Sequence, residues 1–169
     1  MRRAQISGGR ITFHYQPELG SWRLRPACRY KHWLRSAIAM EKHLGNGSLI
    51  GIGRIAYHFV SYAQITALHE VLLGDSSPTD IITLDYRETS DALLVAEIFV
   101  CPAFVKASAQ ALRQPYTEEL RRVLAHGILH LLGYRDDRPE TRLRMRVAEE
   151  RWLSLWKAIS YVSHETPRI

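Results

Sequence analysis

The stretch from Ala92 to Cys101 limits what this chain can fold into more than any other. It is almost continuously apolar and interrupted only by Glu97. A run of this length, rich in β-branched and aromatic residues, reads as a strand buried on both faces of a sheet. Thr79 to Tyr86 is a second strand, close enough to pair with it as a hairpin. Arg10 to Tyr15 and Ser48 to Ser61, rich in Ile, Val, Phe and Tyr, read as two more. Between the strands lie segments with helical spacing. Lys31 to Leu44 is closed by Gly45-Asn46-Gly47, Tyr62 to Leu73 is stopped by Gly74, and Pro102 to Arg113 follows the apolar strand. Glu118 to Leu132 is the clearest helix, with Thr117 as its candidate N-cap and two acids in the first turn. A last helix opens at Pro139 and carries Leu143, Val147, Trp152 and Trp156. The expected fold class is α+β: one domain over residues 1–162, a central mixed sheet of about four strands flanked by helices, and a tail over 163–169.

The chain has 169 residues, enough to bury a core without covalent staples. Its two cysteines, Cys28 and Cys101, are far apart and outside any CxxC pair, which argues against a disulfide framework or a Cys-rich zinc module. No apolar run approaches the ~18–20 residues that span a bilayer, and no apolar stretch follows Arg2 and Arg3 as in a signal peptide. The expectation is a cytoplasmic protein without membrane partners. The net charge is +6. Nine basic residues fall within residues 1–42 against Glu18 and Glu41, so the rest of the chain is close to neutral. A one-sided excess of this kind favours an anionic partner, nucleic acid first.

The chemistry concentrates in the run His126-Gly127-Ile128-Leu129-His130-Leu131-Leu132-Gly133-Tyr134-Arg135-Asp136-Asp137. Two histidines four apart on a helix share one face, a turn apart, and neutral imidazoles so placed can hold one zinc ion. Gly133 can end the helix in a left-handed conformation and turn the chain back. Asp136 or Asp137 then arrives as a third ligand, leaving a fourth position for water. The helix would be zincin-like, but zinc peptidases of the H-E-x-x-H type place their general base where this chain has Gly127. The absent glutamate argues against peptide hydrolysis.

The run from His126 to Tyr134 resembles the signature of the YbeY family of bacterial endoribonucleases, H-G-x-L-H-L-x-G-Y-D-H, whose three histidines hold a zinc ion. Thr79-Asp80-Ile81-Ile82-Thr83 is similar to that family's T-D-V-L-S-F strand, and Ala96-Glu97-Ile98 to its G-D-I strand. The resemblance covers roughly residues 50–155. The family's last histidine falls on Asp136 and its preceding Asp on Arg135. Members from the Bacteroides group carry Asp at that place and I-I-T-F-D-Y in the strand. This chain has Ile-Ile-Thr-Leu-Asp-Tyr over residues 81–86 and resembles that branch. On the resemblance, the third ligand is Asp136. An arginine that the family places shortly before the T-D strand has no counterpart in Leu72-Leu73-Gly74-Asp75, with Arg87 a candidate substitute. The family's upstream Asn falls on His69, and an Asn-Ala pair on Ser108-Ala109.

What the resemblance implies is a zinc-dependent endoribonuclease specific for single strands. Its role would be rRNA maturation at the 3′ end of 16S rRNA and ribosome quality control. It would hold one Zn²⁺ per chain on His126, His130 and Asp136, which would be both metal ligands and catalytic residues. Its partners would be single-stranded and ribosomal RNA, the small ribosomal subunit and the GTPase Era. The competing readings are a non-catalytic small-subunit assembly factor with a structural metal, and a zinc hydrolase of another substrate. Trp152 and Trp156 read as core rather than as an RNA-stacking platform, and Arg142, Arg144, Arg146, Glu149 and Glu150 as an exposed helix face. Glu97 reads as a structural hydrogen-bonding residue, with a supporting role at the metal as the alternative.

Overall fold

Four strands form one mixed sheet: β1 (Arg10–Tyr15), β2 (Ile52–Phe59), β3 (Ile81–Asp85) and β4 (Leu94–Val100), in the spatial order β1-β2-β4-β3. These come from a computed structural model, which describes residues 9–44, 51–89 and 92–162. β1, β2 and β4 run parallel, and β3 closes the far edge antiparallel to β4, from Ile81 opposite Val100 to Asp85 opposite Ala96. The expected hairpin is therefore present. Parallel neighbours need crossovers. α1 (Ala27–His43) links β1 to β2, and α2 (Tyr62–Leu73) precedes the hairpin. After β4 come α3 (Pro102–Ala111), α4 (Tyr116–Leu131) and α5 (Pro139–Val162).

The local signals explain most boundaries. Ser61 and Gln64 form a capping box at the start of α2, and Gly74, with φ 68°, ends it. α1 begins four residues before the expected Lys31, because Pro26 holds an extended cap and leaves the chain free to coil from Ala27. Thr117 is not the cap of α4. Pro115 occupies that place and Thr117 lies inside the first turn. The expected end of α1 at Gly45-Asn46-Gly47, the start of the second strand at Ser48 and the tail over 163–169 lie outside the described residues.

One sheet face carries the main core. Ile55, Tyr57 and Phe59 of β2 and Leu94, Ala96, Ile98 and Val100 of β4 are buried beneath α1, α4 and α5. Tyr57 donates its hydroxyl to the Leu124 carbonyl of α4 at 2.6 Å, which satisfies the polar atom at the centre of that core. The opposite face is only partly covered. Val95, Glu97 and Phe99 are half-buried, and α2 seals one end through Ile65 packed with Val60, Ile82 and Cys101. Burial of β4 on both faces is thus realised on one face and only in part on the other. Glu97 points to the open side, where it meets the Tyr86 hydroxyl at 3.2 Å and His58 at 3.7 Å.

α5 corrects the expected core in phase rather than in kind. Trp152 is fully buried and Trp156 nearly so, but Leu143 and Val147 are 65% and 55% exposed. Nine residues separate Leu143 from Trp152, about half a turn out of register at 100° per residue. The buried stripe runs instead through Met145, Ala148, Glu149, Trp152 and Trp156. Trp33 and Trp152 meet edge to face at 6.2 Å, and the Trp33 indole donates to the Trp152 carbonyl at 2.8 Å. Such a pair contributes roughly 0.5–1.5 kcal/mol beyond its area burial. No helix among the described residues is long and apolar enough to cross a membrane.

Candidate metal centre

α4 is amphipathic, and its inner face lies directly on the sheet. Gly127 makes that approach possible. A Cβ there would sit 2.7 Å from Ile81 Cδ1, 3.1 Å from Ile98 Cγ2 and 3.2 Å from Thr83 Oγ1. Position 127 therefore faces β3 and β4, and a glutamate side chain would collide with the sheet. One residue earlier and three later, His126 and His130 project from the outer side of the same helix, and their Nε2 atoms converge to 2.8 Å.

The turn after α4 supplies the third group. Gly133, with φ 89°, donates its N–H to the His130 carbonyl, and Tyr134 N–H reaches back to Leu129 O at 3.0 Å. That positive φ is strained for residues with a side chain. The reversal brings Asp136 Oδ2 to 3.5 Å from His126 Nε2 and 3.8 Å from His130 Nε2. Donors bound at about 2.0–2.1 Å to one tetrahedral ion lie about 3.3–3.4 Å apart, so this triangle fits a small divalent cation after a slight parting of the two rings. His126, His130 and Asp136 form the group among the described residues that could hold a metal ion. Asp137 is not part of it. Its carboxylate faces Arg135 at 3.6 Å and accepts from the Thr141 hydroxyl at 3.2 Å.

Both imidazoles are oriented through their far nitrogens. His126 donates Nδ1–H to Glu149 at 2.8 Å, and His130 donates Nδ1–H to the Tyr134 carbonyl at 3.0 Å. Each bond leaves Nε2 as the free donor toward a metal. Burial disfavours the His126 cation, but the bonded Glu149 carboxylate, with Asp136 and Asp80, outweighs it and raises the pKa. His130 moves the other way, lowered by burial and by the neighbouring His126 charge. Arg122 bridges Glu149 and Glu150 at 3.4 and 2.8 Å. Tyr134 is anchored in turn: its hydroxyl donates to Glu41 at 2.8 Å, and Glu41 also accepts from Arg151 at 2.7 Å and the Trp152 indole at 3.0 Å.

A hollow of about 610 Å³ opens beside the triad, between edge strand β3 and the end of α2, and is lined by Asp80, Thr83 and His69. Burial pushes the Asp80 carboxyl above its ordinary range, against the pull of its backbone hydrogen bonds and His126. Leu72 and Leu73 also line it, without a cation on that wall. Arg87 does not fill this gap. Its guanidinium is bound to Asp85 and to the Leu131 carbonyl at 2.6 Å, where it pins the end of β3 to the last turn of α4. Glu97 lies on the other sheet face and is not at the triad.

The model of the family described as "Endoribonuclease YbeY" matches residues 24–157. The chain belongs to the YbeY endoribonuclease family. A protein of that name from Cytophaga hutchinsonii is 32% identical over 146 residues, covering 86% of this chain and 96% of the relative. One from Bacteroides fragilis is 40% identical over 106 residues, covering 63% and 75%, and one from Phocaeicola vulgatus is 39% identical over 104 residues, covering 62% and 74%. The solution structure of TM1509 from Thermotoga maritima shares the fold, with a TM-score of 0.58 at 22% identity over 92% of this chain and 94% of that one. The match to a Bacteroides YbeY agrees with the branch that the Ile-Ile-Thr-Leu-Asp-Tyr strand resembles.

Sequence reasoning missed Glu149. It was grouped with an exposed helix face, yet it is 6% exposed and bound to His126. The signal was present: stepping back three and four residues from Trp152 lands on Glu149 and Ala148. A carboxylate on a buried stripe needs a partner. Glu41 carried the same signal, three and four residues on from Ile38 and Ala37 on the buried stripe of α1, although its partners lie about a hundred positions away.

Proposed function

We propose that this protein is a metal-dependent endoribonuclease that cuts single-stranded RNA during rRNA maturation, at the 3′ end of 16S rRNA, and in ribosome quality control. The reading includes one Zn²⁺ per chain on His126, His130 and Asp136, a single domain over residues 1–162, and action in the cytoplasm on the small ribosomal subunit with the GTPase Era. Membership in the YbeY family carries it, supported by the convergence of three ligand atoms on one helix and the turn behind it.

A divalent ion held there supplies a Lewis acid for a phosphate oxygen and an acidified water. The side chains supply the rest. Glu149 and the Tyr134 carbonyl fix both imidazoles with Nε2 turned to the opening. Asp136 adds a carboxylate, so the three ligands together carry one negative charge and neutralise half of a divalent ion. Asp80, its carboxyl pushed above the ordinary range by burial, stands beside the triad in the hollow that would take the reacting phosphate. Gly127 removes the room for a peptidase-type general base and directs the chemistry away from peptide bonds.

The test is cleavage of end-labelled RNA by the full chain after metal analysis. The proposal expects one equivalent of zinc and cuts within single-stranded segments, with duplex RNA spared. Intact RNA under zinc, manganese and magnesium alike would favour the assembly-factor reading instead.

A further inference from the structure

Hollows open on more than one side of the triad. Besides the 610 Å³ hollow at β3, a second of about 750 Å³ lies between α4 and α5, and His126 and Asp136 line both. The two hollows therefore flank the triad on either side, with His126 and Asp136 in the wall of each. Their walls differ in charge. The β3 hollow is lined by no lysine or arginine, whereas the α4–α5 hollow carries Arg122, Arg142 and Arg146.

These three arginines are not equivalent. Arg122 is engaged by Glu119, Glu149 and Glu150. Its acids are held as well: Glu149 also by His126, and Glu119 also by Gln114. Arg142 and Arg146 make no ion pair among the described residues, and both are exposed. They are four apart on α5, so they share one face about 6 Å from each other along the axis. That is the scale of adjacent phosphates along a nucleic acid strand. Val147, an exposed apolar side chain, lies in the same wall beside them. Arg144, two residues from each, is on another face and does not line the hollow.

We propose that Arg142 and Arg146 form a phosphate-binding subsite for the RNA strand, one or two nucleotides from the bond that is cut. It rests on the nuclease reading above and adds a direction to it: the strand crosses the triad from the α4–α5 hollow toward the β3 hollow. The arginines bind the backbone and do not touch the reacting atoms, so they set affinity and register rather than the chemical step.

The experiment measures binding of a labelled twelve-nucleotide single-stranded RNA to the full chain across a salt series, with chelator present to keep the RNA intact. Wild type is compared with Arg142→Gln/Arg146→Gln, the rescue pair Arg142→Lys/Arg146→Lys, and Arg144→Gln as control. The double Gln variant is expected to bind roughly tenfold more weakly near 0.1 M salt. Its slope of log K against log salt should flatten by about 1.4, two contacts at about 0.7 each. The Lys pair should restore most of the affinity and slope, and Arg144→Gln should match wild type. An unchanged affinity and slope in the double Gln variant overturns the subsite, as does an equal loss in Arg144→Gln, which would mean a diffuse charge effect. Cleavage with metal restored separates the two proposals. A wild type that binds but never cuts overturns the nuclease reading alone, while a wild type that cuts alongside an unaffected double variant overturns the subsite alone. A wild type that binds no RNA at any salt overturns both.

Discussion

Two buried carboxylates stand on either side of the triad and do opposite things. Glu41, on α1, is wholly buried and saturated by Arg151, the Tyr134 hydroxyl and the Trp152 indole. It holds α1, α5 and the turn together and presents nothing to the opening. Glu149, on α5, is almost as buried, but its partner is a metal-ligand candidate, His126, and Arg122 is shared with exposed Glu150. A buried charge costs several kcal/mol unless it is paired. At Glu41 the pairing secures the fold, and at Glu149 it orients a candidate ligand. One side chain serves stability and the other serves the site.

The largest expected effect breaks the first half of that contrast. Glu41→Ala leaves Arg151 without its carboxylate and removes the acceptor of two other donors. It should lower unfolding free energy by about 3–5 kcal/mol in urea titration. A loss below about 1 kcal/mol would show that the network is not holding the helices. Glu149→Gln tests the other half. It keeps an acceptor for His126 but loses the charge, so metal affinity should fall 10- to 100-fold in a competitive chelator titration. Stability should change by only about 1 kcal/mol. If both variants lost stability and metal affinity in the same proportion, the distinction between the two acids would fail.

Gly127→Ala sharpens the same contrast from beneath the triad. The added methyl meets the flexible end of Ile81 at 2.7 Å. Overpacking costs about 1–3 kcal/mol, and the better helix former returns about 1 kcal/mol. The net expectation is a loss of about 1 kcal/mol, read by thermal or urea unfolding. The smallest effect lies on the open sheet face, where Glu97 is a third, half-exposed acid. Burial lowers the pKa of His58 against the pull of Glu97 at 3.7 Å, with the His14 ring stacked beside it at 4.9 Å. A histidine with a depressed folded pKa contributes stability that is present above its unfolded value, about 6.5. That contribution is lost as pH falls through this value toward the folded one. His58→Asn should flatten the stability profile below about pH 6.5, read by urea titration across pH, and should leave metal binding unchanged.

What was legible in the sequence followed from local physics. Helical spacing and Gly74 placed α2, the four-residue spacing placed both imidazoles on one helix face, and Gly133 marked the turn that delivers Asp136. The apolar run placed β4 but overstated its cover, because nothing local says that α2 reaches one end of the second face only. In α5 the reading of Trp152 and Trp156 as core holds, whereas Leu143 and Val147 mimic a core stripe about half a turn from the true one. Glu149 was hidden by its charge, which groups it with the exposed Arg142, Arg144, Arg146 and Glu150 although it lies three residues before buried Trp152. Glu41 likewise lies on the apolar stripe of Leu34, Ala37 and Ile38, so its burial was legible; its partners Tyr134, Arg151 and Trp152 were not, because no local pattern records a contact of that range.

The central claim is that the triad is a metal centre that cuts RNA. Its most direct test is cleavage of a labelled single-stranded RNA by wild type, by His130→Ala purified in parallel, and by wild type with chelator. The account predicts that untreated wild type alone cuts, that restored metal revives the chelated sample, and that His130→Ala stays inactive with its metal content below that of wild type. Equal cutting by all three samples would contradict it and place the activity outside the His126, His130 and Asp136 cluster.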